Sequence, residues 1–382
     1  MALAIELKQS LTDIDESAWN QLGEADYPFT RHEFLLALEL NHCLIEFGWQ
    51  PVYFLIHENN EIVAAIACYI KTNSYGELVF DHTWAQAYER SGRNYYPKLV
   101  SAIPYTPATG PRFLIHREIT DQQQQKNLTD QLIKVIQQFC ISHQLSGWHC
   151  LFERESTYKE LANEQLLLRY DCQYHWTNQG YHSFDDFLSY LSSRKRKNIK
   201  KERASVSAEN LTIKQLYGDQ LTASQWSRVH QLYAGIFHRK HGTATLTESF
   251  FQSIGQKLKK RVMVVTVIKN EEIIAASLFF ISDTTLFGRL WGCDEYYNHL
   301  HFECCYYQGI DYCIKNGLQT FDPGAQGEHK ISRGFLPTKT CSAHWFPDDN
   351  FQQMIKQYLT QEEPYINDFC LEQSQKSPYR KI

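Results

Sequence analysis

The chain has 382 residues, of which 43% are apolar, and it contains 8 Trp, 23 Tyr and 22 Phe. This composition predicts a globular protein of about two or three domains and excludes a disordered or collagen-like chain. The formal net charge of −5 excludes a strong overall field for nucleic acid or membrane, so any site for a polyanion must be local.

No apolar run approaches the roughly 20 residues of a membrane-spanning helix, and the N-terminal residues lack the basic start and apolar stretch of a secretory signal. Several of the 11 cysteines have apolar neighbours, as in Ala67-Cys68-Tyr69, which is typical of buried, reduced thiols. We therefore expect a cytoplasmic protein without a membrane span and without a disulfide framework.

The first predicted elements belong to a pattern that occurs twice along the chain. Residues 53–80 and 264–290 each predict about three strands joined by two polar turns. At a constant offset of 211, Glu61 aligns with Glu272, and several apolar positions that follow them also agree. Such agreement indicates an internal repeat.

A helix and a short strand follow each of these runs. The helices are predicted over 131–143 and 303–316, with Gly147 and Gly317 as C-caps. The order strand, strand, strand, helix, strand therefore occurs twice and predicts an α/β protein with mixed sheets and two similar domains in tandem. The predicted domains are residues 1–175 and 176–382.

Within the first domain, residues 82–112 combine aromatic rings with cations and prolines. Trp84 and Tyr88 are spaced to share one face of a helix, and the prolines hold the following segment extended. A rigid wall of this kind fits a pocket, although core packing explains Trp84 equally well. The candidate binding residues of this wall are Trp84, Tyr88, Tyr96, Lys98 and Arg112.

At the start of the second domain, a short helix capped by Ser183 precedes a strongly basic helix. Between Arg194 and Arg203, seven of ten residues are Lys or Arg, and like charges at positions i and i+4 repel one another. A bound anion would remove this repulsion, so the helix is a candidate clamp for phosphates; the alternative is a solvated helix face. The candidate residues are Arg194, Arg196, Lys197 and Lys200.

A second basic segment, His238-Arg239-Lys240-His241, precedes a helix capped by Thr247. It indicates either the polar edge of a site, with His241 as the candidate residue, or an ordinary basic helix end.

The loop at 321–337, FDPGAQGEHKISRGFLP, follows the last predicted strand of the repeat, where α/β folds collect ligand-binding residues. Asp322 and Glu328 are candidates for a base or for an orienting group, and Lys330 and Arg333 for stabilising a phosphate or an oxyanion. A polar surface turn is the alternative. The chain contains no C-x-x-C pair and no histidine pair with ligand spacing, so we expect no structural zinc.

Several long motifs together resemble a bacterial family of predicted N-acyltransferases described as peptidoglycan biosynthesis or recognition proteins. The motifs are DHTWAQAYERSGRNYYPKLVSAIPYTPATGPR, YLSSRKRKNIKKERASV, HRKHGTATLT, LWGCDEYYNHLHFECCYYQGIDYCI and FDPGAQGEHKISRGFLPTKTCSAHW. The family is related to the Fem-type aminoacyltransferases and to the GNAT superfamily, so the resemblance implies two GNAT-like acyltransferase domains in tandem.

The resemblance implies acyl transfer to an amine, from an acyl-CoA or an aminoacyl-tRNA, in cell-wall precursor metabolism. Glu328 and Lys330 match a Gly-Glu-x-Lys pattern at the substrate cleft of related enzymes, which implies that Lys330 stabilises a phosphate or a tetrahedral oxyanion. The sequence departs from the GNAT acyl-CoA loop, Q/R-x-x-G-x-G/A, because Arg289-Leu-Trp-Gly292-Cys-Asp lacks the second glycine. Trp291 in this segment is a candidate substrate contact.

We therefore expect an N-acyltransferase whose substrate lies between Lys330, Arg333 and the basic helix, with the wall at 84–112 closing the other side. No metal cofactor is expected. The alternatives are a non-catalytic binder of a phosphorylated cell-wall precursor and an RNA-binding protein that uses the basic helix, with tRNA as a possible partner.

Overall fold

A computed structural model of the chain describes residues 3–160 and 166–380. The chain divides into two compact units. The first unit is drawn from Met1–Cys172 and Lys339–Asp368, and the second from Gln173–Thr338 and Phe369–Ile382.

The strands are, in chain order, β1 (Ala4–Lys8), β2 (Trp49–Glu58), β3 (Glu61–Lys71), β4 (Lys98–Ser101), β5 (Leu114–Ile115), β6 (Trp148–Glu153), β7 (Leu167–Thr177), β8 (Thr212–Tyr217), β9 (Val262–Lys269), β10 (Glu272–Ile281), β11 (Thr285–Cys293), β12 (Thr320–Asp322) and β13 (Leu336–Trp345).

The helices are α1 (Glu16–Asn20), α2 (His32–Leu40), α3 (His82–Arg90), α4 (Gln122–Ser142), α5 (Glu155–Glu160), α6 (Phe184–Tyr190), α7 (Ser193–Ser207), α8 (Ala223–Arg239), α9 (Glu248–Leu258), α10 (Leu300–Phe302), α11 (Gln308–Asn316) and α12 (Asp349–Gln375). A π-helical turn at Glu303–Tyr307 connects α10 to α11, and a 3₁₀ helix covers Glu328–Arg333. None of the described helices combines the length with the hydropathy of a bilayer-spanning segment.

The sheet of the first unit has the strand order β1, β2, β3, β4, β6, β13. β2 and β3 form a long antiparallel hairpin, whose turn residues Asn59 and Asn60 have φ values of 52° and 68°. A two-residue turn with positive φ matches the twist of the two strands, and Asn tolerates this backbone conformation. β4 and β6 run parallel because α4 crosses between them, and the apolar face of α4 packs on this sheet.

The sheet of the second unit has the strand order β8, β9, β10, β11, β12, with the end of β7 beside β12. The β9–β10 hairpin turns at Asn270 and Glu271, with φ values of 49° and 69°, which is the turn found in the first unit. β11 and β12 are parallel and are connected through α10, the π turn and α11.

The predicted repeat is present in both units, with two corrections. The third strand predicted inside 53–80 is wrong: β3 ends at Lys71 and the next strand is β4. The reason is that Gly76 and Leu78 have φ values of 80° and 62°, which a strand does not adopt, while Glu77 between them accepts a hydrogen bond from the buried Lys98. Gly147 is also not a C-cap, because α4 ends at Ser142 and His143 is its cap residue.

The two compact units do not coincide with the predicted ranges 1–175 and 176–382. The difference is the segment Lys339–Asp368, which belongs to the first unit. Its strand residues, Cys341 to Trp345, pair antiparallel with β6, and Cys341 and Ala343 contribute to the core under α4.

Candidate active site

The candidate site of the second unit begins where two parallel strands diverge. β11 and β12 pair only from Thr285 to Phe287 and from Thr320 to Asp322. β12 ends there, whereas β11 continues to Cys293. Ligands of α/β sheets bind beyond the carboxyl ends of such strands, so Asp322 and the loop after it lie at the expected place.

A β-bulge in β11 directs Arg289 toward Asp322. Phe279 of β10 pairs with Gly288 and Leu278 pairs with Leu290, so Arg289 is the extra residue. Its guanidinium binds the Asp322 carboxylate through two contacts, Nη2 to Oδ2 at 2.7 Å and Nη1 to Oδ1 at 3.2 Å. Burial alone would raise the pKa of Asp322, but Arg289 outweighs it and lowers this pKa to about 2. Asp322 is therefore a firmly ionised, bound carboxylate.

Lys330 lies buried on the 3₁₀ helix that follows. Its Nζ donates hydrogen bonds to Gly324 O at 2.7 Å and to Ala325 O at 3.2 Å. Burial lowers the pKa of Lys330 to about 8, against the opposing attraction of Asp322. An ammonium carries three N–H donors, so one donor remains for an oxygen of a bound molecule.

Glu328 lies on the same 3₁₀ helix but is directed away from Lys330. Its side chain is exposed and forms an ion pair with Lys376 at 3.4 Å. The charges of Asp322 and Lys330 therefore attract each other, whereas Glu328 pairs with Lys376 instead.

Arg333 is buried, and its contacts connect the loop to the basic helix α7. Its Nη2 donates to Glu202 Oε1 at 2.8 Å, and the guanidinium lies 3.4 Å from the centroid of the Phe302 ring. Tyr307 donates to the other oxygen of Glu202. Arg333 thus positions α7 inside the unit.

The predicted basic helix is confirmed as α7, and most of its cations point to solvent. Arg194, Lys197 and Lys200 are exposed and Arg196 is half-buried. Lys200 forms an exposed ion pair with Asp185 at 3.0 Å. The carboxyl end of the helix is held by Glu202 and by Arg203, whose guanidinium binds Glu303 at 2.9 and 3.0 Å. The four candidate cations therefore form a charged face on the second unit.

A cavity of about 100 Å³ lies in the second unit between β10, β11 and the π turn. The predicted contact residue Trp291 lines it, and its ring meets that of His301 edge-on at 5.5 Å. Cys305 of the π turn also lines the cavity, with its Sγ 2.8 Å from Ser277 Oγ. The other lining residues include Phe279, Arg289, Tyr306 and Pro323.

Sequence reasoning missed several residues of this region. His175 of β7 lies with its Nε2 3.8 Å from Asp322 Oδ1, and burial lowers its pKa, so the ring is neutral at pH 7. His175 stands in a plain strand sequence that carries no signal of a site. Arg289 did carry one, since it opens the segment that approximates the acyl-CoA loop.

In the first unit, Lys98 is fully buried and bound by acidic groups. Its Nζ donates to Glu77 Oε2 at 2.8 Å and to Asp81. Tyr96 is half-buried and its hydroxyl lies 2.7 Å from Ser74 Oγ. The carboxylates of Glu77 and Asp81 therefore bind the charge of Lys98 inside the unit. The role of Lys98 as a substrate contact stays a prediction.

Arg112 is also buried, and its guanidinium donates to the carbonyl oxygens of Ala108 at 2.7 Å and Leu151 at 3.0 Å. The proline-rich loop around it is buried as well, not exposed. Backbone carbonyl groups therefore bind the cation of Arg112, and its role as a substrate contact stays a prediction.

Trp84 and Tyr88 share the buried face of α3, as their spacing predicts. Trp84 packs edge-on against His344 at 4.8 Å, and Tyr88 packs against Phe351 at 4.6 Å. These contacts are those of a core. In the second unit, His241 lies exposed just after α8, where φ is 55°.

Within the described parts of the chain, no group of His, Cys, Asp and Glu side chains has an arrangement that could hold a metal ion. The candidate chemistry of the second unit includes a buried ammonium, an Arg–Asp pair, neutral imidazoles and a small cavity.

A family model described as FemAB-like, peptidoglycan biosynthesis/recognition, matches residues 10–381. Among solved structures, the fold is similar to that of FemX, with a TM-score of 0.53 at 9% identity over 92% of this chain and 100% of that chain. No curated protein sequence matches the chain.

Two further solved structures share the fold. A domain named as the C-terminal part of a lysylphosphatidylglycerol synthetase from Agrobacterium fabrum has a TM-score of 0.53 at 9% identity, over 92% of this chain and 97% of that one. L-PGS from Bacillus licheniformis has a TM-score of 0.51 at 8% identity, over 85% and 95%. At these identities the likeness shows the fold alone, and the predicted mixed α/β fold built from two similar units is confirmed.

Proposed function

The chain belongs to the FemAB-like family of peptidoglycan biosynthesis and recognition proteins, and from this membership we propose that it is an N-acyltransferase. It transfers an acyl or aminoacyl group from an activated ester or thioester to an amine acceptor in cell-wall precursor metabolism. The observation that carries the proposal is Lys330, a buried ammonium with one remaining donor at the carboxyl ends of two parallel strands.

In the proposed reaction, a neutral amine attacks the carbonyl carbon of the donor. The new C–N bond forms, negative charge develops on the carbonyl oxygen, and the remaining N–H of Lys330 stabilises this oxyanion. The bond to the leaving sulfur or oxygen then breaks, and the proton of the amine leaves with that group. Lys330 carries no other task in this scheme.

The two carboxylates predicted as bases take different parts in the proposal. A base works best when its pKa is near the working pH, whereas the pKa of Asp322 is about 2. We assign Asp322 to positioning Arg289 and His175. The neutral ring of His175 is the better group to take the proton of the amine and pass it to the leaving sulfur or oxygen, whereas Glu328 lies on the surface beside Lys376.

The exposed cations of α7 suit the phosphates of the donor, which is either an acyl-CoA or an aminoacyl-tRNA. Lys and Arg bind phosphate oxygens strongly when they are clustered. Both donor classes occur in the cytoplasm, where we place the reaction. The residues of this proposed phosphate contact are Arg194, Arg196, Lys197 and Lys200.

The test is transfer activity of Lys330→Met, measured with acyl-CoAs and aminoacyl-tRNAs and a panel of amines. Because one oxyanion donor contributes about 10²- to 10³-fold to turnover, we expect a fall of that size in kcat with the fold intact. Lys315→Met is the matched control, since Lys315 is an exposed lysine of the same unit, and its activity should equal that of the wild type. A folded Lys330→Met protein with full activity contradicts the assignment.

A further inference from the structure

The cavity lined by Trp291 adjoins the proposed catalytic centre. Arg289 lines the cavity and binds Asp322 with the same guanidinium. Cys305 also lines it, and the positive charge of Lys330 lowers the pKa of its thiol against the larger effect of burial. A carbonyl group that reaches Lys330 would therefore extend its substituent into this cavity.

The volume of the cavity restricts what it can hold. A dry protein cavity of about 150 Å³ accommodates benzene, which has six heavy atoms. By this measure, the roughly 100 Å³ available here admits a group of about four heavy atoms. The cavity is partly open to solvent, so a longer group either extends through the opening or meets the rings of Phe279, Trp291 and His301, which form part of its lining.

The charge of the lining restricts its chemistry further. The cavity is lined throughout by described residues, and none of these is Asp or Glu, while Arg289 supplies a cation. Asp322, the carboxylate beside it, already binds that guanidinium through both oxygens. An ammonium group placed here would lie next to a positive charge, with no carboxylate among the described lining residues to act as its counter-ion, which is unfavourable.

The remaining polar lining groups are uncharged at neutral pH. Burial lowers the pKa of His301 to about 4 and raises the pKa of Cys305 to about 12. Burial also raises the pKa of Tyr306. The cavity therefore offers uncharged donors and acceptors, with Ser277 and Cys305 in contact at 2.8 Å.

We propose that this cavity holds the acyl group during transfer and selects a short acyl thioester without a free ammonium over an α-aminoacyl donor. Trp291, packed against His301, sets the upper limit of chain length. This inference rests on the proposed function and names its donor class. In the step itself, the C–N bond forms, the C–S bond breaks, and the proton of the amine leaves with the thiol.

The experiment uses the full chain and a matched pair of thioesters, propionyl-CoA and glycyl-CoA, which differ in a methyl against an ammonium group. Thiol release is followed with a mixture of lysine, glucosamine and putrescine as acceptors, and calorimetry gives the Kd without an acceptor. We expect kcat/KM and affinity to favour propionyl-CoA by about tenfold or more. Equal or better use of glycyl-CoA overturns the inference.

Chain length provides the second readout. From butyryl-CoA to hexanoyl-CoA, we expect kcat/KM to fall by about tenfold or more. Trp291→Ala should raise kcat/KM for hexanoyl-CoA by a similar factor. If Trp291→Ala does not fold, His301→Ala is measured in its place. Tyr296→Ala is the matched control, because Tyr296 is 89% exposed and should keep the wild-type order. If both cavity variants keep the wild-type preference for chain length, Trp291 and His301 do not limit the length of the acyl group.

The outcomes separate this inference from the function on which it rests. Transfer from aminoacyl-tRNA but from none of the thioesters overturns the inference and leaves the acyltransferase standing. No transfer and no binding with either donor class refutes the proposed function, and the inference falls with it.

Discussion

At the scale of single residues, the lowered pKa of Lys330 gives the proposed reaction a definite pH dependence. Burial favours the uncharged amine, so the ammonium loses its proton near pH 8, not near pH 10.5. The oxyanion needs the charged form. Because the neutral amine is the form that attacks, acyl transfer per neutral molecule of the acceptor should therefore decline as the pH rises through about 8.

The measurement is kcat/KM, calculated on the concentration of the neutral amine acceptor, against pH for the wild type and for Lys330→Arg. A guanidinium keeps its charge throughout this range, so the decline near pH 8 should disappear in Lys330→Arg, at lower overall activity. A wild-type profile that is flat from pH 7 to 10, or a decline that persists in Lys330→Arg, assigns the charge requirement to another group.

Lys98 gives a prediction about stability. It is 0% exposed and bound by Glu77 and Asp81, and removing one partner of a buried ion pair costs about 3–5 kcal/mol because the other charges lose their counter-ion. Lys98→Met should lower the free energy of unfolding in urea by about this amount. Lys126→Met, at an exposed position of the same unit, should leave it unchanged. A stable Lys98→Met protein with weakened substrate binding would support the binding role instead.

The site residues were predictable from the sequence to different degrees, and the reason is physical. Lys330 stands in a glycine-rich loop after a strand, a context with few apolar groups to pack. Lys98 and Arg112 carry the same charge, but their partners are backbone carbonyls and carboxylates that the sequence does not connect to them. Glu77 lies 21 positions from Lys98, so a buried structural cation and a binding cation look alike in the sequence.

At the scale of elements, the anchoring of α7 is testable. Glu202 joins this helix to Arg333 and Tyr307, and a hydrogen bond to a charged group contributes about 1.5–3 kcal/mol. Glu202→Gln should lower stability by up to that amount and speed amide exchange over 193–207. The measurement is hydrogen exchange followed by mass spectrometry.

Asp185→Asn is the control for this experiment. It removes the exposed Lys200 ion pair, which contributes little because solvent screens it. Equal exchange in the two variants would mean that α7 is held by its apolar contacts alone.

The elements themselves were largely predictable where local signals exist. The two hairpin turns, at Asn59-Asn60 and Asn270-Glu271, each begin with an Asn, which tolerates positive φ, and the helix caps Ser183 and Thr247 bind the backbone as expected. The π turn at Glu303–Tyr307 was not predictable. It inserts one residue into a helical pattern, and it is held by contacts with a distant segment, since Glu303 binds Arg203 and Tyr307 donates to Glu202.

At the scale of the whole molecule, residues 339–368 belong to the first unit although they follow the second in the sequence. This arrangement predicts which fragments of the chain fold cooperatively. A fragment of residues 1–175 lacks Cys341 and Ala343, which pair with β6 and fill the core. It should show no cooperative unfolding transition. A fusion of 1–172 to 339–368 through a flexible linker should regain one.

Urea unfolding followed by circular dichroism and fluorescence checks both fragments. Cooperative unfolding of 1–175 alone would support the predicted boundary and reduce β13 to an accessory strand. The sequence could not reveal this arrangement, because strand pairing at such separation leaves no local pattern, and the offset repeat points to two consecutive domains.

The distance in sequence between β6 and its partner β13 also matters while the chain is being synthesised. Phe152 of β6 and Ser342 of β13 are hydrogen-bonded neighbours 190 positions apart, so at about 5–20 residues per second the ribosome needs about 10–40 s to deliver the second strand after the first. For that interval the edge of β6 presents unpaired backbone groups, the kind of surface on which nascent chains aggregate. The yield of this protein in a cell should therefore depend on translation speed through residues 173–345 and on chaperones that cover strand edges.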